Sequence, residues 1–277
     1  MRRRRSNMFR QLRLNAAKYG AIAQINLQNS LAYAGELANR SLFMVVILYV
    51  FIQLWRATYG ALGATTIAGL SFADTLWYLV MTETIELSRT RFANQMSDEV
   101  KDGALAYTIS RPYNYVLYHW SYGLGDMLLR LVINFSAGTI LVTALVGPMP
   151  LQLAHALPLF VSILLAMALN FCIQGLIGLA AFVTEDVQSI QIIYQKFLFI
   201  LGGMLIPLDF FPGWLRDAAL VLPFNYMMYA PARLFVSFDW SRWLNVAAMQ
   251  LVWIGVFGLA LWALFRVGLR HVSINGG

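Results

Sequence analysis

Long apolar runs, rather than alternating ones, set the pattern of this sequence. A helix rises 1.5 Å per residue, so about 20 mostly apolar residues cross the ~30 Å hydrocarbon core of a bilayer. Runs of that kind occur at about 41–58, 72–93, 115–146, 157–183, 187–207 and 243–267, which predicts six spans. The second is unusually polar, and the third is long enough to tilt or to continue beyond the hydrocarbon. Apolar and polar residues do not alternate with period two, which argues against an outer-membrane barrel. Ahead of the first run, Phe9, Leu12, Ala16, Tyr19 and Ile22/Ala23 recur at helical spacing, with Arg10, Arg13, Gln24 and Gln28 among the positions between. Residues 6–36 therefore predict an amphipathic helix along the inner leaflet, its arginines against anionic headgroups. A partly unstructured basic tail is the alternative.

Composition agrees with this pattern. Of 277 residues, 60% are hydrophobic and 12% charged, against 45–50% apolar and about a quarter charged in ordinary soluble domains. A soluble enzyme around one core is excluded, as are a disordered chain and a coiled coil. The fold class expected is an all-α integral membrane protein, divided into a basic segment with its interfacial helix (1–36) and a six-helix domain (37–277).

Twenty Lys/Arg against 13 Asp/Glu give a net charge of +7. Basic and aromatic residues do not interleave as on a nucleic-acid-binding face, so no nucleic-acid partner is expected. The excess instead orients the spans. Arg2 to Arg5, Arg10, Arg13 and Lys18 precede the first; Arg89, Arg91, Lys101 and Arg111 follow the second; Arg266 and Arg270 follow the sixth. Segments 59–71 and 147–156 contain neither Lys nor Arg, and Arg216, Arg233 and Arg242 lie between spans five and six. Both termini are thus expected in the cytoplasm and the chain in the cytoplasmic (inner) membrane, with the acidic loop Thr184-Glu185-Asp186 also inside. No apolar h-region follows the initial arginines, which excludes a secretory or twin-arginine signal.

Motifs for chemistry are missing. No GxxxxGK followed by Ser or Thr occurs, and the nearest Gly-rich stretch, Gly60 to Thr66, lacks the lysine that reaches a phosphate. Neither HExxH nor GxSxG is present. His119, His155 and His271 are dispersed and Cys172 is the only cysteine, so no metal site and no catalytic residues are expected. For His119, at the start of span three, interfacial anchoring is the expected role.

Polar groups inside the spans need a reason, because an ionisable side chain at the bilayer centre costs roughly 2.5–3.5 kcal/mol on insertion scales. Span two carries Thr82, Glu83, Thr84 and Glu86, followed by Arg89. Glu83 and Glu86 share a face, as do Glu86 and Arg89. They form either a polar stripe along a pathway or subunit seam, or solvated pairs near the membrane surface. Asp126 and Arg130, four apart in span three, read as a structural ion pair. Span five opens with Glu185, Gln188, Gln191, Gln195 and Lys196, a stripe of amides that either glues helices or borders a polar route.

Two connecting segments stand out. Asn94 to Leu105 reads as a short polar helix with Gly103 at its C-terminal end, followed by Ile109-Ser110-Arg111-Pro112. Gly202 to Leu215, with Pro207, Phe211 and Pro212, and then Leu222-Pro223-Phe224 and Pro231, is too broken for a span and too apolar for an ordinary loop. Irregular backbone at membrane depth is buried in protein or lines a cavity, so a re-entrant helical hairpin at about 208–235 is expected.

A basic amphipathic lead, six spans, the V-K-D-G-A-L…I-S-R-P segment and the G-G-M-L-I-P-L…F-P…L-P-F…P hairpin together resemble type-2 ABC transporter permeases, in the subfamily that pairs with a separate ATPase subunit. The resemblance covers nearly the whole chain. It implies an ATP-driven exporter in which a second permease, identical or paralogous, completes the route. ATP and Mg²⁺ belong to the partner ATPase, so this chain carries no cofactor. It further implies that residues 95–103 are a coupling helix contacting the ATPase through Met96, Asp98, Glu99, Val100, Lys101, Asp102 and Gly103. Glu83, Glu86, Gln191 and Gln195 become pathway residues, and Pro207, Phe211, Pro212, Pro223 and Phe224 an extracytoplasmic gate. Two acids in span two are more polar than a purely lipidic substrate needs. The rival expectation is a channel or secondary transporter driven by an ion gradient through Glu83 and Glu86. Substrate identity is not legible.

Overall fold

The structure, a computed structural model, describes the backbone of residues 2–184 and 186–275 and their side chains apart from 2–13, 34, 36–38, 40–41 and 269–275. The expectations on the first arginines, Phe9, Leu12, Glu185, Arg270 and His271 fall outside those side chains. The described chain is almost entirely helical: α1 (Arg2–Ala32), α2 (Ala34–Leu62), α3 (Phe72–Ser88), α4 (Phe92–Lys101), α5 (Ala104–Ser110), α6 (Tyr115–Leu145), α7 (Ala156–Leu179), α8 (Ala181–Thr184), α9 (Gln188–Leu201), α10 (Gly213–Val221), α11 (Tyr229–Val236) and α12 (Trp240–Asn275). A two-residue β-hairpin, Thr66–Ile67 with Leu70–Ser71, joins α2 to α3. Its turn places both Ala68 (φ 48°) and Gly69 (φ 80°) in the left-handed region, the pairing that a tight two-residue hairpin requires.

Among the described residues, four stretches are long and apolar enough to cross a membrane: Leu42–Leu62, Tyr115–Leu145, Leu153–Thr184 and Trp240–Gly268. They correspond to expected spans one, three, four and six. Spans two and five are shorter than their apolar runs. α3 has 17 residues and α9 has 14, about 26 Å and 21 Å of helix at 1.5 Å per residue. α3 stops at Arg89, where the backbone turns extended (ψ 148°) before α4 begins. α9 stops at Gly202-Gly203, and Gly203 has φ +68° with Leu208 and Tyr78 crowding the place a Cβ would take.

α3 is the axis of the bundle. A capping box between Ser71 and Asp74 starts it, and it packs on α2, α6 and α11. Every residue from Thr75 to Ile85 is buried. α7 is the second hub, against α4, α8, α11 and α12. α1 departs from the picture of a helix lying alone on the leaflet: its described part runs lengthwise beside the first half of α6. The Asn26 amide donates to the Tyr122 carbonyl at 2.5 Å and the Tyr19 hydroxyl accepts from the Asn114 amide at 3.1 Å. Gly125 allows this contact, since a Cβ there would lie 2.5 Å from the Ala23 carbonyl oxygen. Asp126 and Arg130 form the ion pair read from their spacing, at 2.6 and 3.0 Å.

The segment after α9 folds into short helices, as its Pro/Gly breaks suggest. A 3-10 turn at Leu208–Phe210 leads to α10, and α11 then packs on α3 and α7. The Tyr229 amide donates to the Gly202 carbonyl at 3.0 Å, closing the hairpin back on the end of α9. The buried Asn225 amide lies 2.6–3.1 Å from the carbonyls of Ala219, Leu220 and Leu222, satisfying the end of α10. Pro207 and Pro223 are buried, Phe211 and Phe224 half-buried and Pro212 exposed just ahead of α10. Phe224 stacks on Phe197 of α9 at 5.8 Å.

Candidate functional site: a polar vestibule beside a surface helix

The last turn of α3, the start of α4, the second half of α7 and the first turns of α9 enclose a vestibule of about 300 Å³. Glu86, Arg89, Thr90, Arg91, Asn94, Gln174, Gln188, Gln191 and Gln195 line it, with Leu87 and Ile192 the only apolar contributors. The 3.6-residue period puts Glu86 and Arg89 on one face of α3 and Gln188, Gln191 and Gln195 on one face of α9.

Arg89 organises this site. Its side chain is 9% exposed and pairs with Glu86. Its Nη1 donates to Asn170 Oδ1 at 3.2 Å, and the guanidinium lies 5.8 Å from the Tyr194 ring centroid. The Tyr194 hydroxyl donates to the same Asn170 oxygen at 2.7 Å. One turn further along α7, Gln174 and Gln191 exchange reciprocal amide bonds of 3.1 and 2.6 Å. These contacts hold α9 to α7. Glu86 Oε2, Arg89 Nε, Thr90 Oγ1 and Asn94 Oδ1 are buried with no hydrogen-bond partner among the described residues. Leaving such a group unsatisfied costs about 1–3 kcal/mol.

Three of the four expected pathway residues, Glu86, Gln191 and Gln195, thus meet at one cavity. Glu83 does not line it. That carboxyl is 1% exposed, deep in the bundle, and its Oε1 has no hydrogen-bond partner. The picture of a solvated surface pair fails for Glu83, which the bundle encloses, whereas Glu86, in the last turn of α3, makes the i,i+3 pair with Arg89 at the vestibule. Asn170, Gln174 and Tyr194 were not singled out from the sequence. A signal existed: Asn170 and Gln174 are the polar pair, four apart, in an otherwise apolar run.

Beside the vestibule lies α4, which covers residues 94–101 of the segment read as a polar helix and begins two residues before it. Phe92, Ala93, Met96 and Ser97 are its buried face. Phe92 stacks on Phe171 of α7 at 4.4 Å, and Met96 lies where a Cβ on Gly178 would meet its sulfur at 3.0 Å. Met96 therefore anchors the helix from beneath. Asp98, Lys101, Asp102 and Gly103 are exposed, while Glu99 and Val100 are half-buried. Gly103 is left-handed (φ +69°), as its terminal place requires, and starts α5.

Glu99 accepts from the Tyr115 hydroxyl at 2.8 Å, and its other oxygen is 3.2 Å from His119 Nε2. Burial pushes the Glu99 carboxyl up, but the His119 and Tyr115 contacts outweigh this and hold it below its ordinary value. His119 is 7% exposed, within the Phe92 and Tyr115 ring cluster. That overturns interfacial anchoring, because the ring serves packing and holds Glu99. Lys101 bridges to Asp186 at 3.3 Å, joining α4 to the α8–α9 connection. The Gln188 amide and Lys101 depress the Asp186 carboxyl.

Among the described residues the bundle thus combines four helices long and apolar enough to cross a membrane with a polar cavity and a charged helix beside it. Residues 26–276 match the family described as ABC-2 family transporter protein, and the chain belongs to that family. It is accordingly a multi-pass membrane protein of an ABC transporter. Family membership implies an ATP-binding partner subunit, the family itself supplying the membrane component. No curated protein matches the chain significantly.

Proposed function

We propose that this chain is the permease subunit of an ATP-driven exporter in the cytoplasmic membrane. Six helices cross or nearly cross the bilayer: α2, α3, α6, α7, α9 and α12. The α4 end and both termini face the cytoplasm, in keeping with the distribution of Lys and Arg. The hairpin formed by α10 and α11 then caps the outer end as a re-entrant gate, with Pro207, Phe211, Pro212, Pro223 and Phe224 shaping it.

The observation that carries this reading is the two-sided character of α4. Its buried face is clamped to α7, while Asp98, Asp102 and Gly103 are exposed next to the polar vestibule and Lys101, also exposed, bridges to Asp186. Such a helix transmits a push from a docked ATPase directly into the bundle. ATP and Mg²⁺ reside on that ATPase, and this chain performs no catalysis. Substrate passes outward along Glu86, Gln191 and Gln195. A second permease, identical or paralogous, covers the exposed apolar face of α9 formed by Ile190, Ile193, Phe197 and Ile200, since one short helix cannot wall a route alone.

Asp102→Lys tests the proposal better than a change at Glu99, whose bonds to α6 are structural. Expected is loss of the ATP-binding subunit on co-purification, or ATP turnover without transport. Unchanged co-purification with coupled transport would refute it. The buried Glu83 supports a second reading, gradient-driven transport. In that case proton-dependent flux appears in liposomes without any ATPase and disappears in Glu83→Gln.

A further inference from the structure

The vestibule carries more unsatisfied buried polar atoms than a closed fold leaves without reason. Four of its lining residues contribute one each, and they are of mixed kind. Glu86 Oε2 and Asn94 Oδ1 can only accept. Arg89 Nε can only donate, and the Thr90 hydroxyl does either. Glu86 and Arg89 neutralise each other, so the buried floor offers directional bonds without net charge, while the exposed Arg91 adds one positive charge to the lining. Around it stand the amides of Gln188 and Gln195, each both donor and acceptor, beside the mutually bonded pair Gln174–Gln191.

A ligand that satisfies this set must donate and accept at once. A carboxylate or a phosphodiester only accepts, and leaves Glu86 and Asn94 unmet. An ammonium only donates, and leaves Arg89 unmet. A hydroxyl does both. The geometry points to a site for a neutral, hydroxyl-rich group, of the chemistry of an uncharged sugar ring. The inference rests on the transport reading above and names the class of cargo group that the vestibule takes. A volume of about 300 Å³ suits one such ring, at the small end of the range for ligand pockets. Thr90 is fixed for the task. Its methyl fills the space that only a glycine at 123 leaves, 2.7 Å from where a Cβ would be.

Saturation-transfer NMR on the full chain in lipid nanodiscs tests this with three probes sharing one ring: methyl β-D-glucoside, methyl β-D-glucuronide and methyl β-D-glucosaminide. Expected is transfer to the glucoside that exceeds transfer to both charged analogues. Its affinity falls about tenfold in Asn94→Leu, as for one lost hydrogen bond. Thr90→Val, which keeps the shape of the side chain, carries the same test if Asn94→Leu does not fold. No transfer to the glucoside, a preference for either charged analogue, or equal transfer in wild type and both variants overturns the inference. The two readings fail separately. If the ATPase subunit docks and transport is coupled but the glucoside does not bind, only the cargo class falls. If the glucoside binds while no ATPase docks, the transport reading falls and the binding site stands.

Discussion

α3 and α9 carry the same kind of sequence, an apolar run studded with polar residues, yet the fold treats them oppositely. α3 is sheathed by α2, α6 and α11, and nothing from Thr75 to Ile85 reaches the surface. α9 buries only Gln191, Tyr194 and Leu198, and leaves Ile190, Ile192, Ile193, Phe197 and Ile200 exposed. Polar groups on α3 are therefore constrained by a finished environment, whereas those on α9 are the means by which it is attached. Polarity in a span marks two things: a buried axis in one case, a loosely held wall in the other.

The largest effect that would break this contrast is at Arg89. Arg89→Ala leaves Glu86 buried and unpaired and removes the bond to Asn170, a loss of about 3–5 kcal/mol when one partner of a buried pair is deleted. Chemical unfolding in nanodiscs or mild detergent measures it. A drop no larger than for an exposed arginine would mean that the α3 axis is open to water.

A smaller effect sharpens the α9 side. Gln191→Leu strands the Gln174 amide and costs about 1–3 kcal/mol, while Gln174→Leu with Gln191→Leu recovers most of it. Limited proteolysis near residues 184–188 should follow the same order. If the double variant is no better than the single one, the amide pair is not what holds α9 to α7.

The smallest expected effect concerns α4, and pH reveals it. The folded-state pKa of Glu99 is below its ordinary value of 4.5. Its contribution to stability is thus complete above that value and fades as pH falls through the lower, folded one. Melting temperature followed from about pH 6 down to about pH 3.5 should fall more steeply in wild type than in Glu99→Gln. Parallel curves would show that the contacts to Tyr115 and His119 do not stabilise the ionised form.

Much of the fold was legible because apolar length and charge placement are additive along the chain. The starts of α3 and α6 were found to the residue, and the Asp126–Arg130 pair followed from spacing alone. What periodicity could not show was depth. Glu83 and Glu86 lie three apart, yet one is locked in the bundle and the other faces a cavity, a difference set by the helices packed on α3 (α2, α6 and α11) rather than by α3 itself. Tertiary contact also decided His119, whose position at a span start suggested an interface until Phe92 and Tyr115 enclosed it. The Asn170–Gln174 spacing marks a polar face on α7 but not its role, because the partners of Asn170 come from elements 81 and 24 residues away.

α7 touches α4 near one end and α11 toward the other. A helix of 24 residues is about 36 Å long, and its hydrogen bonds make it stiff along that length. Tilting such a rod by about 5° at the Met96–Gly178 contact would displace its far end by about 3 Å, by simple proportion to the length. That is roughly the width of a water molecule. Under the proposed coupling, the shared rod would act as a mechanical ratio: a movement at α4 too small to break a hydrogen bond would arrive at the hairpin large enough to open or close a gap.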